Sequence, residues 1–190
     1  MEAPAHACYI ISGLSGAGKS TTGRALAEEI PGLVFVEGDA YYREDKPFVA
    51  LSDGARVKNW DSEDAIDWPR LRRDVASLLA RSDVVLVTFL PRLDLLGVPI
   101  TRHVRLAYSA ETADREIDIQ LCALSRRATK GHRTPEAQER DLRCVREVVY
   151  PAYERARRLY PGDATVLTHA GVERRPPGEV LAEVRRALGL

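Results

Sequence analysis

The sequence has little cysteine, and its three cysteines lie far apart. Cys8, Cys122 and Cys144 form neither a C-x-x-C pair nor a set of spacings typical of a disulfide framework. A disulfide-rich secreted scaffold and a cysteine-ligated zinc module are therefore excluded. We expect the three thiols to be buried in a reducing compartment. The first residues also lack the basic start and long apolar region of a signal peptide, so the expected location is cytoplasmic.

Long hydrophobic runs and an excess of either charge are also missing. The longest apolar run, VVLVTFLP, is far shorter than the ~20 residues that span a bilayer. The 28 Lys and Arg residues balance the 28 Asp and Glu residues, and the formal net charge is zero. No overall field therefore draws the chain to nucleic acid or to an acidic membrane surface. We expect neither as a partner.

The sequence does contain a regular alternation of apolar, β-prone runs and amphipathic helical segments. It has no internal repeat, low-complexity tract or long linker, and its 190 residues suit a single domain, 1–190. Strands that alternate with helices predict a parallel sheet with helices on both faces, which is a three-layer α/β fold. The predicted strands, about five in number, are 7–11, 33–36, 84–90, 103–108 and 164–168.

The stretch GLSGAGKS, residues 13–20, matches the phosphate-binding P-loop pattern Gly-x4-Gly-Lys-Ser. An apolar strand precedes it and a helix begins within it, which is the context that this pattern needs. Glycines let the loop turn its N–H groups inward, and the helix N-terminus adds partial positive charge. We expect Lys19 to reach the outer phosphates of ATP and Ser20 to ligate Mg²⁺. The predicted nucleotide-binding residues of this stretch are Gly13, Ser15, Gly16, Ala17, Gly18, Lys19, Ser20 and Thr21.

Asp39 follows the second predicted strand, in the segment EGDAYY. Ligands of parallel α/β sheets bind beyond the carboxyl ends of the strands, so Asp39 is predicted to face the terminal phosphate. A carboxylate there can accept the proton of an attacking hydroxyl or hold Mg²⁺ through water. The alternative is that Asp39 only caps a short helix.

The stretch VKNWDSEDAIDW, residues 57–68, ends a long polar excursion over residues 37–66. Together with the P-loop, Asp39 and the pair Tyr41 and Tyr42, its Asn-Trp-Asp motif resembles the uridine kinase and nicotinamide riboside kinase group of P-loop kinases. This resemblance implies that Asp39 is the catalytic base and that Asp61 holds hydroxyls of a sugar. It also implies that Tyr41, Tyr42 or Trp60 stacks near a flat ring. The alternative interpretation is a turn and helix cap with Trp60 in the core.

A basic segment at residues 125–135 resembles the lid of such kinases, whose arginines close over the transferring phosphoryl group. Such cations stabilise the charge on the phosphoryl oxygens. Two alternatives stay open: a solvated basic helix end, and an RNA-binding patch that lacks interleaved aromatic residues. The resemblance further implies that Gly171, after the last strand, borders adenine. The lid cations are Arg126 and Arg127, predicted to be catalytic, with Lys130, and Arg133, predicted to bind the acceptor.

One position departs from the family pattern. Members usually carry Glu-Gly at the end of the third strand, where the glutamate helps to hold Mg²⁺, and this sequence has Thr88 there. Asp39 with Ser20 could hold the ion through waters, or another carboxylate could substitute. The substitutes are Glu37, Asp94 and Glu111.

The sequence therefore predicts a phosphotransferase that moves the γ-phosphate of ATP, with Mg²⁺, to an alcohol group of a nucleoside-like small molecule. Two alternatives remain. The Gly-Asp pair after the second strand also suits a sugar-acid kinase of the gluconate type, and Thr88 suits an ATP-binding regulatory protein with weakened catalysis. A GTPase is disfavoured because no guanine-reading N-K-x-D pattern occurs. The expected oligomeric state is a monomer or a homodimer.

Overall fold

A computed structural model describes residues 6–88, 92–127, 134–171 and 173–190, with the side chains of 123–127 left out of the description. Eight strands and six α-helices are present in these ranges. The strands are β1 Cys8–Gly13, β2 Leu33–Glu37, β3 Phe48–Ala50, β4 Arg56–Lys58, β5 Asp83–Thr88, β6 Arg102–Tyr108, β7 Ala164–Ala170 and β8 Glu173–Arg174. The helices are α1 Lys19–Glu29, α2 Trp68–Leu79, α3 Ala113–Arg127, α4 Pro135–Cys144, α5 Tyr150–Leu159 and α6 Pro177–Leu188.

The main sheet has the strand order β2-β5-β1-β6-β7-β8. The first five of these strands are parallel, which confirms the five predicted strands, and the two-residue β8 pairs antiparallel with β7 at the edge. The short β8 went unpredicted because two residues carry no periodicity. Parallel strands place all of their carboxyl ends at one edge of the sheet, and the P-loop, Asp39 and Thr88 follow or end three neighbouring strands there.

The core lies on both faces of this sheet. Alternate residues of β1 point to opposite faces, since side chains alternate along a strand. Tyr9 and Ile11 pack in one hydrophobic cluster, which includes Leu26 of α1 and Val184 of α6. Cys8 and Ile10 pack in a second cluster with residues of α2. The predicted three-layer arrangement is therefore confirmed.

Residues 135–159 form one long helical element with an irregular turn. Thr134 caps α4 by accepting a hydrogen bond from the Ala137 N–H at 3.3 Å. A π-helical turn over Val145–Val149 then joins α4 to α5. It ends two residues before Pro151, whose ring nitrogen cannot donate a helical hydrogen bond. Among the described residues, no helix is both long and apolar enough to cross a membrane.

Residues 37–66 connect β2 to α2 and contain most of the predicted acceptor residues. The segment begins with a 3₁₀ turn, Gly38–Tyr41, which carries Asp39. The antiparallel hairpin of β3 and β4 follows, with Val49 paired to Val57. A second 3₁₀ turn, Glu63–Ala65, leads to Asp67, which caps α2 by accepting from the Arg70 N–H at 3.0 Å. The hairpin therefore brings Asn59, Trp60 and Asp61 back toward the sheet.

Candidate active site

The P-loop has the backbone geometry that its glycines predict. Gly18 lies in the left-handed region, with φ 92°, at the N-cap of α1, and no side chain caps this helix. Gly13 has φ 143°, and a Cβ there would lie 2.2 Å from the carbonyl oxygen of Leu106. Only glycine fits such a position. The N–H groups of the first turn of α1 have no partner within the helix, so the loop and the helix end form a cradle for an anion.

Other contacts hold this cradle in place. The Tyr108 hydroxyl at the end of β6 donates to the carbonyl oxygen of Ser15 at 3.0 Å. The Lys19 ammonium lies along the loop and donates to the carbonyl oxygen of Leu14 at 3.1 Å. The Lys19 side chain therefore lies against the loop, and its charge also acts on Asp61.

Glu37, the last residue of β2, faces the P-loop. Its carboxylate accepts a hydrogen bond from the Ser20 hydroxyl at 2.5 Å and another from the guanidinium of Arg24. Ser20 is the residue that the P-loop pattern assigns to Mg²⁺. A hydroxyl and a carboxylate are hard oxygen ligands of the kind that Mg²⁺ prefers. The two residues therefore fit a Mg²⁺ ion.

The other positions considered for the metal are placed differently. Thr88 is buried at the end of β5, and its hydroxyl oxygen is 3.0 Å from the position that a Cβ on Gly38 would take. Asp94 accepts hydrogen bonds from Arg92 and from the Tyr160 hydroxyl. These exposed contacts already occupy its carboxylate. No group of three or more His, Cys, Asp or Glu side chains within the described ranges could hold a metal ion alone. A bound Mg²⁺ would therefore need phosphate oxygens as well, which is usual for this ion.

The charges of Asp39 and Lys19 both act on Asp61. Burial raises the pKa of Asp61 to about 6, while the charge of Lys19 opposes this rise and the charge of Asp39 adds to it. Burial also raises the pKa of Tyr42, and the charges of Asp61 and Asp39 raise it further. Two carboxylates, an ammonium and a phenol thus lie together at the carboxyl ends of the strands.

Aromatic side chains border these carboxylates. The rings of Tyr42 and Trp60 meet edge to face, with centroids 5.1 Å apart. The Lys46 ammonium lies over the Trp60 ring at 4.2 Å from its centroid. Trp60 is 47% exposed, so it is not the core anchor of the alternative interpretation. The buried tryptophan is Trp68, whose indole N–H donates to the carbonyl oxygen of Glu63 at 2.9 Å.

The predicted residues do not all meet in this group. Tyr41 is buried in the cluster around α2, and its hydroxyl donates to Asp74 at 3.2 Å, so the structure places it away from Asp39 and Asp61. Four residues of the predicted lid cannot be placed relative to this group. Lys130 and Arg133, together with the side chains of Arg126 and Arg127, lie outside the described residues.

A cavity of about 100 Å³ opens beside the P-loop, between the start of α1 and the chain that follows β7. Ala17, Ala25 and Leu181 contribute apolar surface to its wall. Arg174 of β8 contributes a charge, with Nη2 at 3.8 Å from the position that a Cβ on Gly18 would take. Gly171 has φ 61° in the turn between β7 and β8 and is not part of the cavity wall. The predicted contact of Gly171 with adenine stays a prediction, and the structure adds Arg174 as a charged residue of this cavity.

Solved structures with a similar fold are the matches that comparison with known proteins finds for this chain. No family model and no curated protein matches this chain. A gluconokinase from Sinorhizobium meliloti 1021 is 22% identical, with a TM-score of 0.52 over 99% of this chain and 94% of that one. The Deinococcus radiodurans tunicamycin resistance protein is 16% identical, with a TM-score of 0.55 over 97% and 96%. A shikimate kinase from Bacteroides thetaiotaomicron is 14% identical, with a TM-score of 0.50 over 97% and 99%.

The chain has the fold of the P-loop kinases. The similarity extends over almost the whole length of both chains in each case, so it is not confined to the P-loop. It supports the broader part of the sequence-based resemblance, a P-loop kinase, and does not favour the uridine kinase and nicotinamide riboside kinase group in particular.

Proposed function

We propose that this protein is an ATP-dependent kinase that transfers the γ-phosphoryl group to a hydroxyl of a small, nucleoside-like acceptor. The observation that carries the proposal is the group of Asp39, Asp61 and Lys19, which lies next to a P-loop with its glycines in the required geometry. A P-loop alone suits many nucleotide-binding proteins. A pair of carboxylates on the acceptor side, bordered by two aromatic rings, favours transfer to an alcohol.

The phosphates of ATP would lie in the cradle of the P-loop, with Lys19 at the outer phosphates. Its ammonium would exchange the Leu14 carbonyl for phosphate oxygens. The base would enter the cavity beside Gly18, where the apolar wall suits a flat ring and Arg174 supplies a guanidinium. Ser20 and Glu37 would hold Mg²⁺, which neutralises charge that develops on the phosphates.

The acceptor would lie between Asp39 and the Tyr42–Trp60 pair. Asp61, when ionised, can accept hydrogen bonds from two neighbouring hydroxyls of a sugar. Asp39 would take the proton of the hydroxyl that attacks the γ-phosphorus. An exposed aromatic edge such as that of Trp60 suits the flat base of a nucleoside.

A sugar-acid acceptor is the second candidate, because one of the similar structures is a gluconokinase. Its carboxylate would approach Asp39 and Asp61, and like charges repel at short distance. The described cation nearest to the aromatic pair, Lys46, already donates to the carbonyl oxygen of Arg43. The charges of the described residues therefore favour a neutral acceptor.

The proposal is tested with a panel of acceptors. ADP release is measured with Mg·ATP and, in turn, a set of nucleosides, nicotinamide riboside, pantothenate and gluconate. We expect one or more of the acceptors that carry a ribose and no carboxylate to raise the rate above that without acceptor. If gluconate alone does so, the sugar-acid kinase is correct. If no acceptor raises the rate while calorimetry shows ATP binding, the protein is a regulatory nucleotide-binding protein.

The raised pKa of Asp61 predicts a pH dependence. Because its pKa in the folded protein is about 6, Asp61 loses its charge as the pH falls through 6, and with it the capacity to accept two hydroxyl hydrogen bonds. We expect kcat/KM for the acceptor to fall below pH 6, and Asp61→Asn to remove this step in the profile. A wild-type profile that is flat between pH 5 and pH 7 would contradict the assignment.

The raised pKa of Asp61 also predicts that ionisation of this residue destabilises the folded protein. A carboxyl group whose pKa is higher in the folded state than in the unfolded state destabilises the fold once it is ionised. We therefore expect Asp61→Asn to raise Tm at pH 8 and to leave it nearly unchanged at pH 4. Asp64→Asn, a change of an exposed carboxylate in the same segment, serves as the control in both measurements.

A further inference from the structure

The β3–β4 hairpin has little to hold it in place by itself. Each strand has three residues, and isolated two-stranded hairpins are at best marginally stable in water. The strands have an exposed outer face, and the buried residue of the turn that connects them is Leu51. Contacts elsewhere in the protein must therefore keep the hairpin in a single position.

The tip of the hairpin is fastened to the helical element after the lid. The Ser52 backbone N–H and hydroxyl both donate to the carboxylate of Glu147, at 2.7 and 2.6 Å. The next residue, Asp53, forms an ion pair with Arg143, which also pairs with Glu139 at 2.9 Å. Glu147 lies on the π-helical turn and Arg143 on the last turn of α4. We refer to Ser52, Asp53, Arg143 and Glu147 as the clasp.

The other end of the hairpin fixes Asp61. The Asn59 N–H donates to the carbonyl oxygen of Pro47 at 2.8 Å and closes the base of the hairpin. The Asn59 side chain then accepts from the Asp61 N–H at 3.1 Å. The position of Asp61 therefore depends on the hairpin that precedes it.

The clasp and Asp61 are both near the last turn of α4. Cys144 follows Arg143 directly, and the charges of both Asp61 and Glu147 act on its thiol, whose pKa is raised mainly by burial. A shift of the hairpin relative to α4 would consequently move Asp61 with respect to the P-loop. Hydrogen bonds to charged groups are stronger than those between neutral groups, so the clasp is suited to resist this shift.

We infer that Arg143 and Glu147 are positioning residues, which hold the hairpin and thereby keep Asp61 in place to bind the acceptor. The inference deepens the proposed function, because it assigns acceptor affinity to residues that do not touch the acceptor. Removal of the clasp should therefore raise the KM of the acceptor and leave kcat and ATP affinity nearly unchanged.

The first measurement needs no substrate. Hydrogen exchange, followed by mass spectrometry over residues 48–62, reports how often the hairpin opens. We expect Glu147→Gln, Arg143→Gln and Asp53→Asn each to speed this exchange by about tenfold, in line with the loss of a charge-assisted hydrogen bond. Glu139→Gln is the matched control, since it removes the other partner of Arg143 and leaves the clasp intact. Arg143→Lys should restore most of the protection.

The second measurement separates positioning from a general loss of structure. With an acceptor identified by the panel, the three variants should raise its KM by roughly three- to tenfold, with kcat within about twofold of wild type. Asp53 lies on an exposed tip, so its variant tests the clasp without a change in α4. Equal exchange in wild type and all three variants would overturn the inference, as would faster exchange with an unchanged KM. If the panel yields no acceptor, the proposed function fails, and the exchange data alone decide whether the clasp holds Asp61.

Discussion

Replacement of Asp39 with asparagine should lower kcat by about 100-fold or more while ATP still binds with nearly wild-type affinity. Asparagine keeps the size of the side chain and cannot take a proton from the attacking hydroxyl. The side chain lies on the 3₁₀ turn after β2 and is exposed, so the change should not disturb the core. Steady-state ADP release with the acceptor measures kcat, and calorimetry with a non-hydrolysable ATP analogue measures binding.

A control variant and the ATP-binding measurement determine how the loss of turnover in Asp39→Asn is interpreted. Asp64→Asn, at an exposed position of the same segment, should leave kcat within about twofold of wild type. A loss of ATP binding in Asp39→Asn would assign Asp39 to the nucleotide instead of the acceptor. A kcat that stays within about threefold of wild type would show that Asp39 is not the general base.

The second large effect concerns Glu37 and the metal. Glu37→Gln should raise the Mg²⁺ concentration needed for half-maximal activity by about 10- to 100-fold, as is typical when a residue that orients or holds a metal ligand is lost. Glutamine can still accept the hydrogen bond from Ser20, so the loop geometry should be kept while the negative charge is removed. The measurement is a Mg²⁺ titration of turnover at saturating ATP.

Thr88→Glu tests the opposite explanation. It puts the carboxylate where the related kinases usually have it, but Thr88 is buried and packs against Gly38. We expect this variant to lose stability and to gain no activity, because our proposal already assigns the metal-binding carboxylate to Glu37. If Thr88→Glu instead became clearly more active than wild type, the natural protein would be a kinase with weakened catalysis.

Much of the candidate site could be predicted because the P-loop is a local pattern. Gly18 takes the left-handed conformation that the loop itself requires, and Lys19 and Ser20 follow at fixed positions on α1. Gly13 is also required by the close approach of Leu106 on β6, which no local pattern shows. The same reasoning placed Asp39 correctly at the edge of the sheet, because it follows a strand that had to be parallel. The sequence left Glu37, Asp94 and Glu111 as equal alternatives, and only the contact with Ser20 distinguishes Glu37.

The placement of two neighbouring tyrosines could not be predicted from the sequence. Tyr41 and Tyr42 are adjacent, and the sequence treats them alike. In the fold, Tyr41 packs against α2 and bonds to Asp74, while Tyr42 meets Trp60 near the carboxylates. The backbone around the 3₁₀ turn determines which side chain points inward, and no periodic pattern spans so short a turn.

By itself, the sequence determined the P-loop, the parallel sheet and the carboxylates at its edge, because sterically required glycines and hydrophobic periodicity act over a few residues. Only the tertiary structure decided that the segment 48–58 is a hairpin and that its tip meets α4. The Ser52–Glu147 and Asp53–Arg143 contacts join residues 95 and 90 positions apart. Polar and charged residues on two distant segments can pair in many ways, and only the packing of the folded chain brings these two segments together.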